Sequence, residues 1–241
     1  MTGASSGIGA ATAAALSDIG ARLFLTGRNE PGLARIPGRL PGHSLAIDLT
    51  SPGAPEKVVE AAVDALGGLD LVVSSAGVGW AGAFATMTPD QLDELLDINV
   101  RVPGRLALAA LPHLRRGHGR LVLVGSIAGL LGAPDETWYS TTKAAVTGLA
   151  DGLRIELRPL GVGVTLVSPG VVDTAFFARR NVPYQRRFPH QIPPQQVADA
   201  IIVALQEGRD EIIVPSWLHL PVALKAGLPR FYRLLASRLS N

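Results

Sequence analysis

Two residues four apart, Tyr139 and Lys143, carry the most reactive chemistry in this sequence. They stand in the stretch Thr-Trp-Tyr-Ser-Thr-Thr-Lys that begins at Thr137. Apolar Val146, Leu149, Leu153, Ile155 and Leu157, small Ala144, Ala145 and Ala150, and a stop at Pro159 predict a helix over 137–157. On a helix, residues four apart share a face. A phenol beside an ammonium is an acid-base pair, because the positive charge stabilises phenolate and draws its pKa down from about 10 toward working pH. Such a phenol can give a proton to a carbonyl oxygen. Alone, a Tyr-x-x-x-Lys pair is an ordinary feature of solvated helices, so the reading depends on what else reaches the same place.

The elements that would bring other groups there follow one pattern. Residues Thr2 to Gly9 read Thr-Gly-Ala-Ser-Ser-Gly-Ile-Gly, ahead of an alanine-rich helix from Ile8 to Ile19 that ends at Gly20. Glycines let the backbone approach a ligand closely, and the free N–H groups of a helix start favour a phosphate. Apolar strands are predicted at 21–26, 44–47, 69–74, 121–124 and 163–167. They run into Gly27-Arg28-Asn29, Asp48, Ser75-Ala76-Gly77, Gly125-Ser126 and Ser168-Pro169-Gly170. Helical stretches near 56–66, 89–116 and 137–158 lie between them. Near-continuous apolar strands alternating with helices predict an α/β fold, a doubly wound, Rossmann-like parallel sheet covered on both faces. In such sheets ligands gather at the carboxyl ends of the strands, where every one of these clusters falls. Pro31, Pro37, Pro41 and three glycines make any helix over 28–43 short or broken. Past Thr174 the pattern loosens into 175–194, rich in Arg, Phe and Pro and expected to lie as a lid over the strand ends. A helix at 194–206 and a strand at 211–214 follow.

At 241 residues and 47% hydrophobic content, the chain is expected to form one domain over 1–241 that both binds cofactor and does the chemistry. A net charge of +2 and the lack of a basic, aromatic patch do not suggest a nucleic-acid partner. Without cysteine there is neither disulfide nor thiolate chemistry, and five scattered histidines show no metal spacing, so no metal is expected. No basic and apolar leader precedes the glycine loop, and uncharged runs such as Leu121 to Pro134 fall short of the ~20 residues of a spanning helix. A cytoplasmic location is the expectation.

In order and spacing, the glycine loop, Asp48, Ser126, Tyr139 with Lys143, and Pro169-Gly170 followed by Thr174 resemble the short-chain dehydrogenase/reductase family in its single-domain form, from Thr2 to about Val214. Ser126 lies 13 residues before Tyr139, as that family places its serine. The resemblance implies that Tyr139 is the general acid in reduction and the base in oxidation. Lys143 would bond the nicotinamide ribose and lower the phenol pKa, and Ser126 would polarise the carbonyl. Asn99, in Ile98-Asn99-Val100, matches the family's asparagine, which positions a water linking Lys143 to solvent. Gly3, Ser5, Ser6, Gly7, Ile8 and Gly9 would line the pyrophosphate, Asp48 and Leu49 the adenine, and Ala76 and Gly77 the adenosine ribose. Pro169 and Gly170 complete the cofactor set, with Val172 and Thr174 on the carboxamide. A 2′-hydroxyl wants a carboxylate at the end of the second strand and a 2′-phosphate wants a cation. Gly27 stands where the carboxylate would be and Arg28 follows, which favours NADP(H) over NAD(H).

Two departures from the family pattern stand out. Ser74-Ser75-Ala76-Gly77 replaces Asn-Asn-Ala-Gly, exchanging a strand-tying amide for a smaller hydroxyl. Only Met1 precedes Thr2, so the family's first strand, at the centre of the sheet, is missing from the given chain. Its loss is expected to cost more than the usual stability margin of ~5–15 kcal/mol, and the expectation is that the given start is too late. At the substrate end, Phe176, Phe177, Tyr184 and Phe188 suggest a lipophilic small-molecule substrate, while Arg179, Arg180, Arg186 and Arg187 leave an acidic one as the lesser expectation. The tail over 215–241 combines Trp217, Leu218, Leu220, Leu224, Leu228, Phe231, Leu234, Leu235 and Leu239 with Arg230, Arg233 and Arg238. Its placements, in order of expectation, are over the cleft, against a partner subunit, or on a membrane surface. The resulting reading is an NADP(H)-dependent oxidoreductase that interconverts a carbonyl and an alcohol, with a homo-oligomer implied by the resemblance. The alternatives are a β-ketoacyl carrier reductase and a nucleotide-binding regulatory protein without turnover.

Overall fold

Because successive side chains of a strand point to opposite faces, the apolar strands feed two core layers at once. Val72, Leu121, Leu123, Val164 and Leu166 point into one, and Val73, Val122, Val167, Ile212 and Val214 into the other. The structure, a computed structural model, describes residues 1–36, 42–180, 182–185 and 188–239. Strands β1 (Leu25–Gly27) and β2 (Ser44–Ala46) pair in parallel, and β3 (Leu71–Ser74), β4 (Arg120–Val124), β5 (Gly163–Pro169) and β6 (Glu211–Val214) form a parallel sheet in that order. The predicted doubly wound architecture is what the chain adopts. Helices α1 (Gly7–Asp18) and α9 (Pro194–Glu207) pack together on one face, where Leu16, Val197 and Ile201 close the second layer. Helices α3 (Ala54–Leu66), α5 (Val102–Leu114) and α7 (Thr137–Leu157) cover the other with Val58, Leu106 and Val146.

Between β1 and β3, where the resemblance places a strand, lie Met1 and Thr2. Thr26 N donates to Met1 O at 2.9 Å, Thr2 N to Val73 O at 2.9 Å, and Thr2 forms one parallel bridge with Ser74. This explains why β1 starts at Leu25 rather than 21: a strand persists only where its backbone finds a ladder. Thr2 also makes a tie that the sequence did not disclose. Its buried hydroxyl accepts from Ser75 N at 3.1 Å and Ala76 N at 3.2 Å, while the Ser74 hydroxyl is buried without a partner among the described residues. Thr2→Val keeps the shape and orphans both donors, so it is expected to cost about 2–4 kcal/mol in urea unfolding. A change below about 0.5 kcal/mol, the usual scatter of surface substitutions, would deny the hydroxyl that role.

The stretch predicted as one helix over 89–116 is in fact three pieces. Helix α4 (Pro89–Leu96) leads into a π-helical turn at Asp97–Arg101, where Val102 N reaches back to Asp97 O, and then into α5. Pro103 has no N–H to give the carbonyl of Asn99, so the regular ladder cannot run through this point. Helix α2 (Glu30–Ala34) is short, as the prolines required, and 37–41 lie outside the described residues. The lid carries one helical turn, α8 (Phe176–Arg179), and the tail folds into α10 (His219–Gly227) and α11 (Pro229–Leu239).

Candidate active site

Helix α6 (Ile127–Leu131) crosses α7 so closely that a Cβ on Gly129 would fall 2.6 Å from the Lys143 carbonyl carbon. Only glycine permits that approach, and it sets the start of α6 against the first turns of α7. Ser126 caps α6, its Oγ accepting from Ala128 N at 3.1 Å, and its hydroxyl lies near enough to the Tyr139 phenol to favour phenolate. Lys143 lies a turn further along, with Nζ 5.9 Å from the Tyr139 ring centre and donating to Val124 O at 3.0 Å. The phenol, ammonium and hydroxyl all line one cleft of about 940 Å³.

The electrostatics correct one expectation. Lys143 does not draw the phenol down: burial pushes Tyr139 up to about 12, opposed by the Ser126 hydroxyl, raised by Glu136 and lowered by Arg180. Leu95, Ala128 and the ring of Phe176, 5.6 Å from that of Tyr139, supply the apolar shell that disfavours phenolate. The same burial lowers Lys143 to about 8. Its cation is bonded to a neutral carbonyl, which leaves its burial uncompensated by any carboxylate among the described residues.

Asn99 stands apart from these three. It is wholly buried in the π turn, with Nδ2 donating to Val78 O at 2.9 Å and to Thr142 Oγ1 at 3.1 Å, and Oδ1 accepting from Val78 N at 3.0 Å. The side chain straps the 77–78 loop to α7 and does not line the cleft.

The cofactor residues read from the sequence all line the same cleft: the loop from Gly3 through Ser5, Ser6, Gly7, Ile8 and Gly9; Arg28; Asp48 and Leu49; Ala76 and Gly77; Pro169, Gly170, Val172 and Thr174. The loop is folded hard on itself, since a Cβ on Gly9 would lie 2.0 Å from Gly3 O. It delivers the start of α1, whose cap Ser6 makes no side-chain cap bond, so first-turn N–H groups stay available for an anion. Asp48 Oδ1 accepts from Thr50 N at 2.9 Å and Thr50 Oγ1 at 2.8 Å, and these bonds, aided by the Arg28 charge, hold its carboxyl below the ordinary carboxylate value.

Sequence reasoning missed two contacts of the lid. Arg179 reaches across the cleft to donate to Ser6 Oγ at 3.1 Å. Arg180 pairs with Glu136 at 2.7 Å, its side chain only 5% exposed and its guanidinium 4.6 Å from the Phe177 ring. Arg180 therefore corrects the idea of a lid cation waiting for an acidic substrate, because it already has its carboxylate. Arg186 and Arg187, the other two of that set, lie outside the described residues. A carboxylate three residues before Tyr139 was the one available signal, and its partner lies 44 positions away. Phe176, Phe177, Tyr184 and Phe188 line the cleft as expected, and so do Leu218, Leu224 and Leu235 of the tail. The tail thus takes its first-ranked placement, over the cleft. Among the described residues no three of His, Asp and Glu gather as metal ligands.

Comparison with known proteins agrees with this geometry. The family model for short chain dehydrogenases matches residues 1–184. An uncharacterised oxidoreductase of Staphylococcus aureus (strain USA300) is 37% identical over 213 residues, covering 87% of this chain and 90% of its own. Among solved structures, a short-chain dehydrogenase from Burkholderia cenocepacia in complex with NADP superposes with a TM-score of 0.83 at 27% identity, covering 100% of this chain and 95% of its own. One from Sphingobium yanoikuyae in complex with NADPH gives a TM-score of 0.81 at 28% identity, over 95% and 94% of the two chains. Matched along most of its length and carrying phenol, ammonium and hydroxyl at one cleft, this chain belongs to the short-chain dehydrogenase family of NAD(P)-dependent oxidoreductases.

Proposed function

We propose that this oxidoreductase interconverts a ketone or aldehyde with an alcohol on a mostly lipophilic substrate, using NADP(H). The observation that carries the reading is that Ser126, Tyr139 and Lys143 line one cleft together with the glycine loop, with Lys143 Nζ 5.9 Å from the phenol ring. The residues present suit a dinucleotide: a helix start with free N–H groups, Arg179 bonded to its cap, and Arg28 at the adenosine end. When bound, the nicotinamide supplies or accepts the hydride. The protein's share is to hold the substrate oxygen between Ser126 Oγ and the phenol, and to pass a proton through Tyr139 Oη. Lys143 fixes the nicotinamide ribose in this reading, and Asn99 acts as a positioning residue behind it. Catalysis and cofactor binding share one domain, with a lid in 175–194 and a tail whose residues as far as Ala236 line the cleft. We assign the protein to the cytoplasm and, following its family, to a homo-oligomer.

Apolar rings around the phenol support a lipophilic carbonyl. The β-ketoacyl carrier alternative loses support from Arg180, which is paired internally. The test is steady-state kinetics with both cofactors over a panel of ketones, aldehydes and alcohols. Arg28→Ala is expected to raise the KM for NADPH by about 10- to 100-fold, the worth of one charge-assisted bond, and to leave NADH nearly unchanged. Arg179→Ala should weaken both cofactors alike, since the diphosphate is common to them. An unchanged NADPH KM in Arg28→Ala would remove the NADP(H) assignment, and absence of turnover across the panel would remove the carbonyl assignment.

A further inference from the structure

The charges of this chain are segregated along its length. The first 211 residues hold 18 Lys and Arg against 20 Asp and Glu, whereas the 30 residues after Glu211 hold four cations and no carboxylate. From His219 to Leu239 these residues form the tail helices α10 and α11, and their sides differ. One face, with Leu224, Tyr232 and Leu235, lines the substrate cleft. Outside the cleft, Leu220 of α10, Leu228 between the helices, and Phe231 and Leu234 of α11 are between 50% and 76% exposed, with Trp217 at the edge of the cleft 45% exposed. Arg230 and Arg233 are exposed beside them and have no carboxylate partner among the described residues, while Lys225 is tied down by a bond to Leu130 O at 2.5 Å. A soluble protein rarely leaves large apolar side chains grouped in this way with unneutralised cations unless something covers them.

From this we infer that the outer face of α10 and α11 docks on the surface of an anionic lipid bilayer. Apolar side chains ringed by arginines are the composition of an interfacial helix, and Trp217 has the amphipathic ring favoured at the headgroup level. Among the described residues no helix is long and apolar enough to cross a membrane, so the contact is with the surface. A second copy of the chain is a poor occupant, because an isologous contact would set Arg230 and Arg233 against the same unneutralised cations. Docked in this way, the helices that roof the cleft would lie against the phase in which a lipophilic substrate dissolves. The inference stands on the tail alone and does not depend on turnover.

The test is co-sedimentation of the full chain with phosphatidylcholine vesicles, with and without phosphatidylglycerol, at low and high salt. Wild type is expected to pellet with the anionic vesicles, less so in high salt, and to stay in the supernatant with neutral ones. Arg230→Glu with Arg233→Glu should weaken binding by about 600-fold, at about fivefold for each of the four charge units removed, and Leu220→Ser with Leu234→Ser should weaken it as well. Far-UV circular dichroism and the unfolding midpoint check that the variants fold. If charge reversal does not fold, Arg230→Gln with Arg233→Gln serves in its place. Wild type that ignores anionic vesicles, or variants that pellet as well as wild type, would overturn the inference. So would a fall in lipid-free molecular mass on Leu220→Ser with Leu234→Ser, which would assign the face to a second copy.

Discussion

Tyr139→Phe is expected to keep the fold and hold cofactor within a few-fold of wild type, while losing about 10²- to 10⁴-fold in kcat, the range of a positioned general acid. The substitution removes one oxygen from a ring that stays packed on Phe176 and Leu95. Ser126 keeps its bond from Ala128 N, so the stability change should stay near the ~1 kcal/mol of a single hydrogen bond. With the phenol pushed up to about 12, wild type holds its proton across neutral pH. The acid needed for reduction is then always present, and the reductive rate should be flat around neutrality. Oxidation needs phenolate, so its rate should climb by about tenfold per pH unit over the same range. Single-turnover and steady-state kinetics in both directions read this out. Appreciable turnover in Tyr139→Phe would transfer the proton to another group, and a reductive rate that falls through neutrality would deny the high phenol pKa.

What the sequence disclosed and what it hid divide along a physical line. Strands β3 to β6 were legible because a parallel strand buried on both faces must be apolar at nearly every position. The glycine loop, Ser126 and the Tyr139–Lys143 spacing were legible because turn chemistry and helical period are local. The break at Asp97–Arg101 had a local sign in Pro103, but an apolar period continuing on both sides masked it. The Glu136–Arg180 pair, the Thr2 tie to Ser75 and Ala76, and the reach of Arg179 to Ser6 join residues 44 to 173 positions apart, and no pattern along the chain encodes them. The sign of the Tyr139 shift was misread for the same reason. A neighbouring cation is visible at four-residue spacing, whereas the shell that outweighs it comes from Leu95, Ala128 and Phe176 on three other elements. Desolvation is a tertiary quantity.

That same desolvation sets an opposition between stability and function at Lys143. Its folded pKa of about 8 lies below the ordinary lysine value of 10.5, so between those values the unfolded chain binds more protons than the native one. Stability therefore rises with pH through that window, and below it the full penalty applies, about 3 kcal/mol from the size of the shift. Lys143→Met keeps the length of the stem and removes the charge. It forfeits the bond to Val124 O, a loss of about 1 kcal/mol. At pH 7 the variant should thus be more stable than wild type by about 1–2 kcal/mol, a Tm gain of several degrees at ~2–4 °C per kcal/mol for a chain of this size. The gain should shrink as pH is raised through the window and be gone once the lysine is neutral in both states. Turnover should move the opposite way, falling by at least about 100-fold, because the group proposed to orient the nicotinamide ribose beside the phenol is lost. Thermal unfolding across pH, paired with kcat, tests both halves. A variant less stable than wild type at pH 7 would mean that the ammonium's contacts outweigh its burial, and the electrostatic account of this site would fail with it.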